Sequence, residues 1–436
     1  MMKKNRTIYF LLALVCLGLQ SCLFQEEDYF DDSSANRATA DVKRCSELLE
    51  AAPNGWVMEY YVGKDYSLGG ITLLCKFDDQ RVTMASQIAG ADETVSSLYS
   101  VKSEQATMLS FDTYNYLVHY FGQPQGSMAD DPNGTLGGDY EFVISDATAD
   151  RIELKGKKYG NRIVMKAFSA DQTWKQYLTR IKKVENDAFF YEYDLRMDGL
   201  YTGQMLRSNY TFIVTYYDEV GKVHQKTVPF MFTTDGMRFH EPVTIDGQTM
   251  QNFVWKNEEI SFVCTDEGAT GVKMKGIYID GYQSYDYYPG TYLMDFYRLN
   301  GATNQLEVAS QEIQLVKNED GKSYWLKGLE YDILVTYDKP RGGLSILPQF
   351  LKKVQGGYVY LAMWDLMNDY VLRSSAIGLI SYPTTDGIYL VDNGVWIGEI
   401  SGFIFGVYNS QDEEASFMGY TDAVAAIRLV KKTIEE

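Results

Sequence analysis

The chain has 436 residues, too many for one ordinary domain, and its length suggests two. Its 35 Tyr and 21 Phe favour β structure. With 40 basic against 59 acidic residues and a net charge of −19, it argues against nucleic acid or anionic headgroups as partners, because no run of basic residues stands out to release counterions.

The N-terminus reads as a lipoprotein signal. Lys3, Lys4 and Arg6 form a charged start, Ile8 to Leu19 an apolar run, and Leu19-Gln20-Ser21-Cys22 a lipobox. The run is shorter than the roughly 20 apolar residues of a spanning helix. Cleavage before Cys22 and lipidation of Cys22 are therefore expected, with residues 1–21 as signal peptide and a protein held to the outer membrane by its lipid. Residues 22–39 form an acidic tether, in which Gln25-Glu26-Glu27-Asp28 and Asp31-Asp32 sit beside the anchor. This cluster resembles the export signal of Bacteroidetes surface lipoproteins, so the cell surface is the expected location.

Residues 40–266 read as a β-rich domain with two helices. The spacing of Val42, Cys45, Leu48 and Leu49 predicts a helix over 36–51, stopped by Pro53-Asn54-Gly55. Ile71, Leu73, Cys75 and Phe77 alternate with Thr72, Leu74 and Lys76, and Ile152 and Leu154 alternate with charged residues, both as strands. Trp174, Tyr177, Leu178, Ile181 and Val184 make the apolar stripe of a helix over 170–186. Both helices are expected to pack on sheets as lids or plugs.

The segment Asp266-Glu267-Gly268-Ala269-Thr270-Gly271 reads as a domain boundary. Beyond it nine apolar runs, 287–297, 312–315, 324–337, 344–351, 358–364, 377–382, 387–391, 402–408 and 425–430, suggest an antiparallel meander over 271–436. So many strands would close to remove their edges, giving a lipocalin-like or calycin-like barrel. The fold class is thus mainly β, two antiparallel β domains with a few short helices.

Five local segments, in order, carry a family resemblance. They are Tyr29-Phe30-Asp31 with Asn36-Arg37, Ala52-Pro53-Asn54-Gly55-Trp56, Phe111-Asp112-Thr113-Tyr114-Asn115, Gly138-Asp139-Tyr140-Glu141-Phe142 and Leu154-Lys155-Gly156-Lys157-Lys158. Together they resemble the Bacteroidetes lipoproteins grouped as domain of unknown function 4302, most strongly before about residue 270. The resemblance implies a surface lipoprotein near outer-membrane nutrient-uptake systems of the SusC/SusD kind. That family has no agreed catalytic or binding residues to carry over.

Motifs of chemistry are sparse. His119, His224 and His240 lack metal-ligand spacing, and there is no G-x-S-x-G elbow, P-loop or dinucleotide fingerprint, so no catalytic residue, metal ligand or cofactor is assigned. An irregular calcium site at Asp130, Asp131 and Asp139 competes with a Pro-Asn-Gly turn as the explanation of that loop. Glu59, Asp139 and Glu141 lie near aromatic residues and are the carboxylates a glycosidase pair would draw on. Cys45, Cys75 and Cys264 have no paired spacing and read as buried thiols. The one positive hint is Tyr278, Tyr282, Tyr285, Tyr287 and Tyr288, with Tyr292 beyond them, a dense group suited to a sugar or peptide surface. A non-catalytic accessory binder is expected, with a glycan or peptide ligand and an outer-membrane transporter as partner. A carboxylate-based hydrolase and a structural or adhesive subunit are the alternatives.

Overall fold

The computed structural model describes residues 34–124, 134–218, 220–412 and 414–432. The signal sequence, Cys22, most of the tether, and Asp130 and Asp131 of the calcium reading lie outside these residues. The described chain is mainly β, in closed eight-stranded antiparallel barrels with three helices.

The first barrel consists of β1 (Trp56–Val62), β2 (Gly69–Asp78), β3 (Arg81–Ser86), β4 (Val95–Ser103), β5 (Thr107–Phe111), β6 (Glu141–Ala147), β7 (Arg151–Gly156) and β8 (Arg162–Ala167). Each strand pairs with the next, and β8 returns to β1. Alternation sends Trp56, Met58, Tyr60, Leu73, Cys75, Phe77, Phe111 and Phe142 into the interior, where they are buried together. Helix α1 (Ser34–Ala51) plugs this barrel with Cys45 and Leu49. The indole N–H of Trp56 donates to the Leu49 carbonyl at 2.9 Å and locks the plug in place. A short helix, α2 (Tyr116–His119), was not legible in the aromatic run around it; Asn115 caps its start by accepting from the Leu117 amide.

The second barrel runs from β9 (Glu192–Met197) through β10 (Leu200–Ser208), β11 (Thr211–Tyr217), β12 (Val223–Phe232), β13 (Gly236–Ile245), β14 (Gln248–Lys256) and β15 (Ser261–Cys264) to β16 (Val272–Ile277), which pairs with β9. Two of its hairpins turn on Asp198-Gly199 and Asp246-Gly247, with positive φ at both residues. A type I′ turn demands that geometry, and Asp-Gly supplies it. The expected boundary at 266–271 is corrected here. It is the turn between β15 and β16, pinned where the Asp266 carboxylate accepts from the Asn252 backbone and side-chain amides at 2.8 and 2.7 Å. Closure requires β16, so the third unit begins beyond Ile277, and residues 40–266 hold most of two barrels rather than one domain.

Helix α3 (Trp174–Asp187) joins the two barrels. Thr173 and Gln176 form a capping box at its start. Its stripe divides: Leu178 packs with Leu74 and Ala85 on the outside of the first barrel, while Ile181 and Val184 enter the core of the second. That is why Leu74, placed on the outer face by alternation, is nonetheless buried. At Gly69 the barrels approach so closely that a Cβ would sit 2.0 Å from the Tyr210 carbonyl oxygen.

The third unit has twelve strands. β17 (Gly290–Asn300), β18 (Gln305–Lys317), β19 (Ser323–Lys327), β20 (Ile333–Asp338), β21 (Gly343–Ile346), β25 (Leu379–Thr384), β26 (Gly387–Asp392) and β28 (Phe417–Lys431) form a ring that closes from β28 to β17. β28 also continues a side sheet through β27 (Gly402–Tyr408) to β23 (Gly357–Asp365) and β22 (Gln349–Val354), with β24 (Tyr370–Leu372) at its margin. The expected C-terminal barrel is therefore a ring plus a flange. The runs 324–337 and 344–351 are each broken into two strands, the second so that β22 can leave the ring.

Cys45, Cys75 and Cys264 are all buried free thiols. Burial pushes each up, Cys264 to about 11. At pH 7.5 the native protein should leave all three unmodified by a thiol reagent, with peptide mapping showing label there only after denaturation. Native labelling of Cys75 would contradict the packing described.

Candidate functional site

The dense tyrosines are the first place to look for a ligand surface, and most of them serve the fold instead. Tyr288 and Tyr292 are fully buried. Tyr288 donates to the Gly342 carbonyl at 2.8 Å, and Tyr292 to the Tyr288 carbonyl at 2.6 Å. Tyr285 donates to the Ser323 carbonyl at 2.8 Å and stacks on Tyr324. Tyr282 lies 3.1 Å from the Tyr337 hydroxyl and stacks on Phe189 of the second barrel's entry segment. Tyr278 packs against Phe190 with ring centroids 5.0 Å apart. Only Tyr278 and Tyr287 keep substantial exposure. The cluster is a seam between the second barrel and the third unit, and Tyr288 offers no ligand surface.

The three candidate carboxylates are likewise engaged, each by separate neighbours. Asp139 accepts from the backbone amides of Lys158 and Tyr159 at 2.7 and 3.1 Å, closing the turn after β7. Gly156 is required there, since a Cβ would lie 2.1 Å from the Asp139 carboxylate. Burial pushes Asp139 up, with the two amides opposing it. Glu141 pairs with Lys102 and Lys157 at 2.8 and 3.0 Å. Two of the family segments therefore meet as one structural joint.

Glu59 is different, because it faces a cleft of about 320 Å³ between the first and second barrels. Strand register builds one wall. Val57, Glu59 and Tyr61 point outward from β1, with Lys166 and Val164 beside the first two on β8, and Arg151 and Glu153 across on β7. The other wall comes from β13, where Met237 and Phe239 turn inward and Arg238 and His240 turn out. Arg238 reaches across to Glu59 at 2.5 Å, and Lys166 reaches its other oxygen at 2.7 Å. Burial pushes Glu59 up, but the Arg238 charge and then Lys166 outweigh it, and the carboxylate stays below its ordinary range. Held ionised and doubly paired, Glu59 is a poor proton donor.

The floor of the cleft is aromatic. His240 lies between Tyr61 and Tyr66, with centroids 4.2 and 4.1 Å away. Burial pushes its imidazole down, which favours the neutral ring. Tyr66 is delivered by a strained loop, with Asp65 at φ 53° and Tyr66 at φ 61°. Left-handed backbone at two successive non-glycine residues costs of order 1–3 kcal/mol each, and such strain clusters at functional sites. Exposed Asp65 should therefore tolerate glycine. Asp65→Gly is expected to be neutral or to stabilise by up to about 1 kcal/mol in a denaturation curve, and a loss of more than that would show that its side chain, not strain, sets the loop.

Tyr66, Arg151, Arg162, Lys166, Arg238 and His240 were all missed as site residues by sequence reasoning. The available signal was the outward alternation of Arg151 and Glu153, and of Arg162 and Lys166, on neighbouring strands. His119 and His224 are packed elsewhere, His119 stacked on Tyr140 and His224 paired with Asp218 at 2.9 Å. Among the described residues no group of three His, Cys, Asp or Glu side chains is placed to hold a metal ion. The arrangement can bind and orient a small polar ligand through cations, hydroxyls and ring faces.

Residues 265–391 match a second family described only as a domain of unknown function (DUF4987). No curated protein matches the chain. Among solved structures, a protein of unknown function of the DUF3598 family from Nostoc punctiforme aligns at 7% identity and TM-score 0.15, covering 56% of this chain and 94% of its own. Intact Ap-TbpB (N and C lobes) aligns at 10% identity and TM-score 0.14, covering 84% of this chain and 67% of its own. At those scores neither carries an argument about fold or function. Over residues 26–257, more than half of its length, the chain matches the family described as domain of unknown function (DUF4302), and it belongs to that family.

Proposed function

We propose that the protein is a lipid-anchored surface protein of the outer membrane that captures a ligand without transforming it, as an accessory component of a SusC/SusD-type uptake system. The observation that carries the binding part is the inter-barrel cleft, built from outward side chains of five strands and floored by a strained aromatic loop. Against a hydrolase, Glu59, Asp139 and Glu141 are each saturated by separate partners rather than facing one another across a sugar-sized gap. The barrel interiors are filled with packed side chains, so capture takes place on the outside. The lipobox at Cys22 and the acidic residues behind it support the address, and a tether would raise the effective concentration of captured ligand near a transporter.

Two measurements test this. Metabolic labelling with radioactive palmitate should mark the native chain and leave Cys22→Ala unlabelled and released from the membrane fraction. Protease added to intact cells should then digest the labelled chain. Equal labelling of Cys22→Ala, or complete protection in intact cells, would contradict the address.

A further inference from the structure

We propose that the inter-barrel cleft takes an anionic sugar, with its carboxylate or sulfate on the basic wall and its ring against Tyr66; this inference rests on the capture reading above. Charge is the first ground. Arg151 and Arg162 share the single carboxylate of Glu153, at 2.9 and 3.1 Å. Arg238 and Lys166 share the single carboxylate of Glu59. Each triad holds two cations and one anion, and both open on the same cleft. Glu241 at its margin removes only part of the excess. A local positive surplus in a chain of net charge −19 runs against the composition, and an incoming anion would complete either triad.

Geometry is the second ground. The Arg162 side chain is 73% exposed and that of Arg151 43%, so both guanidinium groups can turn toward a ligand without leaving a core. Tyr66 is partly exposed above His240, the Arg162 backbone amide donates to its hydroxyl at 3.4 Å, and Tyr66 and Arg162 line the same cleft. A sugar acid presents that pair of features, a ring face and an adjacent anion. The volume suits a ligand of that size, at the small end of the roughly 300–1,000 Å³ of small-molecule sites.

The test is titration calorimetry on the full chain in neutral detergent at low salt, with D-glucuronate, D-glucose and inorganic sulfate as probes. Glucuronate should bind saturably and at least tenfold more tightly than glucose, with sulfate competing. Arg151→Ala/Arg162→Ala should lose about tenfold, as expected for removal of charge-assisted hydrogen bonds. Glu153→Gln should tighten binding severalfold, a gain that a merely structural carboxylate would not produce. Lys43→Ala, on α1 and away from the cleft, should leave binding unchanged. Equal binding of glucose and glucuronate, unaffected by the double arginine variant, would overturn the anion inference and leave capture standing. Silence of glucuronate and sulfate alike would also overturn it. Conversion of bound glucuronate into a product would instead contradict the capture reading while supporting the ligand class.

Discussion

Glu59→Ala should destabilise the protein by about 2–3 kcal/mol, somewhat below the ~3–5 kcal/mol of a fully buried pair because Arg238 keeps partial contact with solvent. The loss arises because Arg238 and Lys166 both spend their charge on this carboxylate, and Arg238 lies largely buried between two barrels. Removing the acid takes away the ion-pair partner of Arg238 at the junction. A double replacement, Glu59→Leu with Arg238→Met, should recover most of the stability, since well-packed apolar residues often match a buried ion pair. It would also remove one of the four cations that line the cleft, so comparing the single and double variants separates stability from binding.

The same pair makes stability depend on pH, with a definite sign. Glu59 titrates below its unfolded value, so its contribution is complete above the ordinary glutamate range, about pH 4.3, and is lost as pH falls through the lower folded value. His240 acts in the same direction at higher pH. Its folded value is depressed by burial, so the unfolded chain takes up a proton first as pH falls below about 6.5, and stability declines from there. Glu59→Gln should flatten the acid part of the profile, and His240→Phe the part between neutrality and the carboxylate range. An unchanged acid limb in Glu59→Gln would show that the junction pair contributes no pH-dependent stability.

Trp56→Ala should cost more, about 3–5 kcal/mol on the transition of the first barrel. Its indole is fully buried among the largest interior side chains and also holds the Leu49 carbonyl of the plug. Truncation therefore opens a cavity and frees α1 together. Calorimetry should show the first barrel's transition falling while the third unit's stays in place, because no residue of that unit joins the Trp56 core. Trp56→Phe keeps most of the volume but not the N–H, and should cost about 1–3 kcal/mol. A uniform shift of every transition would instead mean that the three units unfold as one.

Much of the β architecture was readable from local pattern, because alternation and turn chemistry are local. Ile71 to Phe77 and Ile152 to Leu154 are examples. The number of barrels was not readable, because closure depends on pairings such as β1 with β8 and β9 with β16. Those pairings bring together residues about a hundred and about eighty positions apart, and nothing local marks them. For the same reason the turn at 266–271 resembled a linker: a hairpin turn and a linker use the same Gly- and Asp-rich chemistry. The tyrosines near 280 were conspicuous by density, yet density does not tell which way a phenol points. The cleft drew on the opposite case: Glu59 stood out only as a carboxylate near aromatic residues, and Glu153, Arg162 and Arg238 are unremarkable one by one and gain meaning only when strand register and barrel contact place them together.

Three histidines make the most direct measurement simple. Imidazole ¹H–¹⁵N spectra of the ¹⁵N-histidine-labelled protein, titrated with D-glucuronate, report on His240 in the cleft and on His119 and His224 outside it. A saturable shift of the His240 signals alone is expected, with the sugar recovered unchanged. Movement of His119 or His224 with His240 still would contradict the placement of the site, and loss of the sugar would contradict capture without chemistry.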